Sequence, residues 1–278
     1  MVSMAPAVPG TNWLADTRLV AGLRELGRHR ELFMTLWVRD VKVRYRQSVL
    51  GLYWALLHPL AIALVLTVAF SIVVRVPVEG APYFLFALSG LLVWNFFAHG
   101  VADATDSLVR HASLVGKVPF PKELLPLATV AARGVDLACA LAIVAVLTAF
   151  LGNGLHLAAL WLPALFLVLA TFTAGLALLC AMANLYYRDV RQVVAVAIPL
   201  WMYLTPVIYP AEMVPDSLRA FLMLNPLAAL VTATRDALVF GASPAWTGLV
   251  SAGAMSVGLL AAGYWLFKRH EPAFAEVV

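Results

Sequence analysis

Charge is scarce in this 278-residue chain: Asp, Glu, Lys and Arg make up 12% of it, while 63% is hydrophobic. A soluble domain carries about a quarter charged residues. So little polar surface cannot cover a chain of this size, and lipid is the expected solvent for much of it. Cysteine is rarer still. Cys139 and Cys180 both fall in apolar runs, which excludes a disulfide framework or a zinc spacing and leaves two small packing residues. The phosphate-binding pattern GxxxxGK[ST] is missing. Gly116-Lys117 is followed by Val118 and has no glycine at the required distance upstream, so the chain is not expected to hydrolyse ATP itself. HExxH and GxSxG are absent too. Asp103 and Asp106 share one helical face, but a solvated helix end explains them more simply than a catalytic pair. No internal repeat, low-complexity tract or second soluble domain is visible. Met1 to Gly10 has no basic stretch leading into an apolar core, so no cleavable signal peptide is expected.

Long apolar runs are what the chain has instead, with a mean hydropathy of +0.90. A spanning helix needs about 20 mostly apolar residues. Six runs qualify: Gln47–Val74, Ala81–Ala102, Leu125–Phe150, His156–Tyr187, Val193–Val207 with its flanks, and Trp246–Phe267. Pro199 and Pro206 should bend or end the fifth. With both termini cytoplasmic, fifteen of the 19 Lys and Arg residues lie inside, and only Arg75, Arg219 and Arg235 lie outside. Arg133 falls within the third run. The positive-inside rule therefore orients the chain N-in and C-in.

Two segments are neither ordinary spans nor ordinary loops. In Glu31–Gly51, residues Phe33, Met34, Trp37, Val38, Val41 and Tyr45 share one helical sector, with Glu31, Arg39, Lys42 and Arg46 opposite. This reads as a basic amphipathic helix lying in the inner-leaflet interface. Asp40 and Arg44 interrupt its apolar edge, where another group can pair with them. A soluble helix packed on something else is the alternative. The segment Tyr209–Ala245 is too apolar for an outer loop. It reads as two short helices, Asp216–Leu224 and Pro226–Phe240, with Asn225 as N-cap and Pro226 at the first helical position. A re-entrant hairpin at the outer side fits, as do two separate interfacial helices.

Among ionisable residues, Arg133 and Asp136 stand out, since charges inside a span are costly and must face protein or water. An ion pair and a contact to an anionic headgroup are both open for them. His58 and His99 read as helix–helix hydrogen-bond partners. Trp54, Trp94, Phe96, Phe97, Trp201 and Tyr203 lie deep or cluster; stacking on sugar rings and simple packing are equally compatible. Gly248, Ala252, Ala254 and Gly258 suit close packing of the last helix. The basic loop Ser107–Glu123 can form a short helix, Leu108–Val115, suited to docking on a cytosolic partner.

The run from Trp37 to Trp54, WVRDVKVRYRQSVLGLYW, resembles the start of the membrane domain in type-2 ABC exporter permeases for polysaccharides. These are the O-antigen, teichoic-acid, capsule and galactan exporters. Further matches are His58-Pro59, Lys117-Val118-Pro119-Phe120-Pro121, Asn184 to Val190, Tyr203 to Tyr209 and Leu224-Asn225-Pro226. The resemblance covers about residues 31–270, leaving 1–30 as a cytosolic N-terminal segment and 271–278 as a cytosolic tail.

The resemblance implies an all-α bacterial inner-membrane permease that forms a homodimer and binds two copies of a separate ATPase subunit, which carries ATP and Mg. No cofactor, metal, catalytic residue or nucleic acid is expected in this chain. The interface helix (31–50) and the loop 107–123 would meet the ATPase, the loop through Leu108, Arg110, His111, Val115 and Lys117. Two protomers would enclose a channel; the candidates for its lining are Trp54, His58, Trp94, Phe97, Arg133, Asp136, Trp201 and Tyr203. The outer segment 209–245 would close it, with Tyr209, Asn225 and Pro226 at the gate. The cargo would be a glycan on a lipid carrier, and Arg39, Lys42, Arg44 and Arg46 would attract the carrier's pyrophosphate at the inner leaflet. The alternatives are a drug or small-lipid exporter of the same architecture and an integral membrane glycosyl- or acyltransferase.

Overall fold

A computed structural model describes residues 27–46, 53–75, 78, 80–151, 154 and 156–277. Helices dominate, and no strand occurs among the described residues. Helix α1 (Arg30–Tyr45) precedes α2 (Trp54–Leu66), which runs on as a π-helical turn through Val73. Next come α3 (Tyr83–Thr105), the short α4 (Ser107–Arg110) and α5 (Ala112–Lys117), and the long α6 (Leu124–Leu151). Helix α7 (Leu162–Tyr186) and α8 (Val190–Tyr203) precede the short pair α9 (Asp216–Leu224) and α10 (Pro226–Arg235). The chain closes with α11 (Trp246–His270) and the one-turn α12 (Phe274–Val277).

Among the described residues, four helical segments are long and apolar enough to cross a membrane: Tyr83–Thr105, Leu124–Leu151, Leu157–Tyr186 and Trp246–Val277. They correspond to four of the six apolar runs. The other two appear as shorter apolar helices, Leu57–Val73 and Val190–Tyr203. Their brevity has local causes. Pro199 lies inside α8, and Thr205 stands before Pro206, where the α conformation is disfavoured; α8 ends just short of that pair. At 1.5 Å per residue α8 is about 21 Å long, less than a bilayer core. The first run begins at Gln47–Leu52, outside the described residues.

Helix α3 is the hub, buried on nearly every side and packed against α2, α6, α7, α8 and α10. Its glycines permit this. A Cβ on Gly100 would come within 2.8 Å of the Thr173 side chain, and one on Gly90 within 2.8 Å of the Val207 carbonyl oxygen. The most extensive contact is between α7 and α11. A Cβ on Gly263 would stand 2.5 Å from the Gly175 carbonyl oxygen, and one on Gly175 2.7 Å from the Leu260 nitrogen. The stripe expected from sequence is therefore misplaced. Ala252 is buried, but Ala254 and Gly258 are exposed, and the close crossing runs through Gly263.

One apolar core fills the middle of the bundle. A second lies at one end and joins Leu36 of α1, Leu108 and Val115 of the 107–123 loop, Leu124 and Leu125 of α6, Leu185 of α7, Phe267 of α11 and Phe274 of α12. Segments far apart in sequence, all expected on the cytoplasmic side, share that core.

Candidate functional site

Helix α1 is seated on α6 through the side that sequence reading treated as its flawed edge. Leu36 is its buried residue, with Leu32, Phe33 and Trp37 packed beside it, whereas Met34 and Val38 are exposed. Asp40 and Arg44 follow Leu36 at intervals of four and so point the same way. The inward face is thus turned from the sector drawn on the helical wheel, and polar pairs complete it. Thr129 Oγ1 donates to Asp40 Oδ2 at 2.8 Å. Arg44 Nη1 reaches Asp136 Oδ2 at 2.8 Å and the Ala132 carbonyl at 3.3 Å, and its Nη2 reaches Asp103 Oδ2 at 3.4 Å. From α6, Arg133 reaches Asp103 at 2.6 Å and Asp136 at 3.2 Å. The Tyr45 hydroxyl donates to Asp136 Oδ1, and burial together with that carboxylate raises its pKa above the ordinary phenolic value.

Two arginines and two aspartates thus form a half-buried, charge-neutral quartet joining α1, α3 and α6. It borders a cavity of about 410 Å³ lined by Arg44, Tyr45, Trp54, His58, Pro59, Asn95, Phe96, His99, Arg133 and Asp136, with Leu92, Leu137 and Ala140 behind. Aromatic planes, amide and imidazole groups and paired charges face one space. That combination suits hydroxyl-rich and phosphorylated ligands.

The residues predicted from sequence do not all gather there. Trp54, His58, Arg133 and Asp136 line the cavity. Trp94 and Phe97 are 3% and 0% exposed. They form an internal aromatic cluster with Phe172 and Trp201, at ring separations of 5.3–6.2 Å, so neither presents a face to a channel in this conformation. Tyr203 is exposed at the end of α8. Of the basic residues on α1, Arg44 belongs to the quartet and Arg39 pairs with Asp40 at 2.9 Å. Lys42 and Arg46 are exposed along an open groove that also includes Met34, Val38 and Val43. Asp103 and Asp106 turn to different partners, Asp106 meeting Asn184 and Arg191, and so make no joint carboxylate site.

The 107–123 loop is helical but broken at His111, whose φ of −112° and ψ of 29° separate α4 from α5. The single helix expected over Leu108–Val115 is thus two turns with a corner. Leu108 and Val115 are buried in the end core. A side chain without exposed surface cannot touch a partner, so these two anchor the loop, while Arg110 and Lys117 are exposed. Arg110 donates to the Asp103 carbonyl at 2.6 Å, and His111 bonds the Ser107 carbonyl at 2.8 Å. Burial lowers the His111 pKa. Sequence reading missed the base of this loop. Glu123, fully buried, takes Lys268 Nζ at 2.7 Å and the Tyr264 hydroxyl at 3.3 Å. Burial pushes its pKa up, with Lys268 opposing. Glu271 accepts from the Lys122 backbone N–H and from Lys268, each at 2.9 Å. The tail is therefore folded onto the loop.

At the opposite end, Asn225 caps α10 by accepting from Leu227 N–H at 3.1 Å, and its amide donates to Thr205 Oγ1 at 2.9 Å. Pro226 is buried behind it. The Tyr209 hydroxyl donates to the Tyr203 carbonyl at 3.0 Å. Helix α10 packs into the bundle against α3 and α11, whereas α9 leaves Leu218, Phe221 and Leu224 exposed. Arg235, counted above as an outer loop charge, is 3% exposed. It lies 3.6 Å over the Phe86 ring and donates to the Phe86 and Val207 carbonyls at 3.2 and 2.9 Å. It is an interior brace rather than a surface charge.

Known proteins share much of this sequence. The chain is 31% identical over 258 residues to an O-antigen export system permease protein of Myxococcus xanthus, covering 92% of this chain and 98% of that one. It is 30% identical over 217 residues to an O-antigen export system permease protein of Klebsiella pneumoniae, covering 78% and 83%. A polysialic acid transport protein of Escherichia coli is 21% identical over 216 residues, covering 74% and 80%. The pattern that defines the ABC-2 type transporter matches residues 31–239, which include α1 from its second residue, the cavity lining, the 107–123 loop and the pair α9 and α10. By that match and by these relatives, the chain belongs to the ABC-2 type transporter family.

Proposed function

We propose that this chain is the membrane permease of an ABC transporter that exports a lipid-linked polysaccharide across the bacterial cytoplasmic membrane. The observation that carries the reading is the 31% identity to an O-antigen export permease along nearly the whole of both chains. The cavity supports it: aromatic faces and polar groups suit sugar rings, and the nearby cations suit a phosphorylated lipid head.

In this reading six segments cross the bilayer, α2 and α8 completing the four long spans, with both termini inside. The end core, which gathers α1, the 107–123 loop and the tail, supports that orientation. Two copies form the transporter and two copies of a separate ATPase, carrying ATP and Mg, dock beneath them. The exposed corner of α4 and α5 meets the ATPase, and Glu123, Lys268 and Glu271 carry its displacement into α6 and α11. Exposed Lys42 and Arg46 draw the carrier's phosphates to the groove beside α1. The outer pair α9 and α10 closes the exit.

The test is transport in vesicles. The chain with its ATPase should move lipid-linked glycan away from the cytoplasmic face only when ATP is present, and Lys42→Gln with Arg46→Gln should lower the rate several-fold with assembly unchanged. Turnover of a sugar donor by the chain alone would contradict the reading.

A further inference from the structure

The quartet between α1 and the bundle does more than satisfy buried charge. Its members are divided unequally. Arg133 and Asp136 sit on the same helix, and Arg133 bridges both carboxylates, meeting Asp103 through Nε at 2.8 Å and Nη2 at 2.6 Å, whereas Arg44 reaches Asp103 only at 3.4 Å. That set would keep α3 and α6 joined without any help. Helix α1 contributes only the two residues of its last turn, Arg44 and Tyr45, and both bond Asp136. Both also line the 410 Å³ cavity, as does Arg133. Arg44 and Arg133 contact the same oxygen, Asp136 Oδ2, at 2.8 and 3.2 Å, so a ligand carrying two linked phosphates can span them. A guanidinium bonds phosphate oxygens in pairs, and a diphosphate brings more negative charge than one carboxylate. If Arg44 turned to such a ligand, Asp136 would retain Arg133 and would not be stranded as a buried lone charge, the outcome that makes most ion pairs costly to open.

We propose that the Arg44–Asp136 pair is a latch holding the end of the interface helix on α6, and that a diphosphate-type anion entering the cavity opens it by drawing Arg44 off Asp136. Ligand arrival then frees the last turn of α1, the element lying between the cavity and the cytoplasmic face. Neutrality of the resting quartet is part of the device: with its cations balanced, the cavity does not hold stray chloride or monophosphate firmly, and only a ligand with two phosphates outbids the carboxylate. The inference rests on the reading of the chain as an exporter of lipid-diphosphate-linked cargo.

Backbone hydrogen exchange of residues 30–46, measured on the permease with its ATPase in phosphatidylcholine nanodiscs, tests it. The probes are a polyprenyl diphosphate, the matching polyprenol, and inorganic pyrophosphate in solution; binding of each is measured separately. The latch requires exchange near Arg44 to rise roughly tenfold with the polyprenyl diphosphate and not with the polyprenol. A rise with inorganic pyrophosphate as well supports the latch and assigns the anion to a soluble source. Asp136→Asn should show raised exchange without ligand and little further change with it. Tyr45→Phe, a milder variant, should give an intermediate resting level and a response at lower ligand concentration. Binding of the polyprenyl diphosphate with unchanged exchange in α1 would overturn the latch and leave the exporter reading standing. No binding of any diphosphate would overturn both.

Discussion

Arg235 shows how a single residue can be misread from sequence and yet be testable. It was counted among the outer charges, but its guanidinium is a buried brace between α3 and the segment after α8. Arg235→Met keeps the volume, removes two charge-assisted hydrogen bonds and strands the Val207 carbonyl, while the Phe86 carbonyl keeps the Ser89 hydroxyl. A loss of about 2–3 kcal/mol of stability is expected, read as a lower unfolding temperature in detergent. Gly90→Ala attacks the same contact from the other side, because its Cβ would stand 2.6 Å from the Arg235 guanidinium and 2.8 Å from the Val207 carbonyl oxygen; about 1–3 kcal/mol is expected. Asp40 and Arg44 were more legible. Polar residues on the apolar edge of a helix signalled partners, and Thr129 and Asp136 are those partners. Their identity was not legible, since the positions pair across 89 and 92 residues and no local pattern links them.

At the scale of elements, the long spans were the easiest to read, because about 20 apolar residues in a row have few other uses. The places where helices cross closely were not. Glycines occur along α11 at Gly248, Gly253, Gly258 and Gly263, and sequence alone does not say which meets a neighbour. The structure selects Gly263 against Gly175. Gly263→Ala should therefore cost about 1–3 kcal/mol, because the opposing atom is backbone and cannot swing aside. Gly258→Ala has open space around it and should change stability by less than about 0.5 kcal/mol; parallel thermal melts distinguish the two. The 107–123 loop carries a pH dependence. His111 is held below its ordinary pKa of 6.5 by burial, so the open loop binds a proton more readily than the packed one. Stability of the α4–α5 corner is complete above about pH 6.5 and falls as pH drops below it. Hydrogen exchange over 107–117 should accelerate on acidification in the wild type and respond less in His111→Gln.

For the whole molecule, the division of labour follows from composition. Most of the described chain is helix, with four helices long and apolar enough to cross a membrane. In the proposed function, energy enters through the end where α1, the 107–123 loop and the tail share one core. The cavity is bounded by α1, α2, α3 and α6, and α3 and α6 are the helices that the 107–123 loop joins. Sequence resemblance anticipated the family, and relatives spanning up to 92% of the chain bear it out. It did not anticipate that Trp94 and Phe97 serve the interior, or that Glu123 and Lys268 tie the loop to the last helix. The most direct measurement of the account is ATP-driven transport in sealed vesicles holding this chain and its ATPase, with labelled lipid-linked glycan on the cytoplasmic side. The account predicts glycan appearing on the far side only with both subunits and ATP present. Glycan crossing without the ATPase, or ATP hydrolysis by the chain alone, would contradict it.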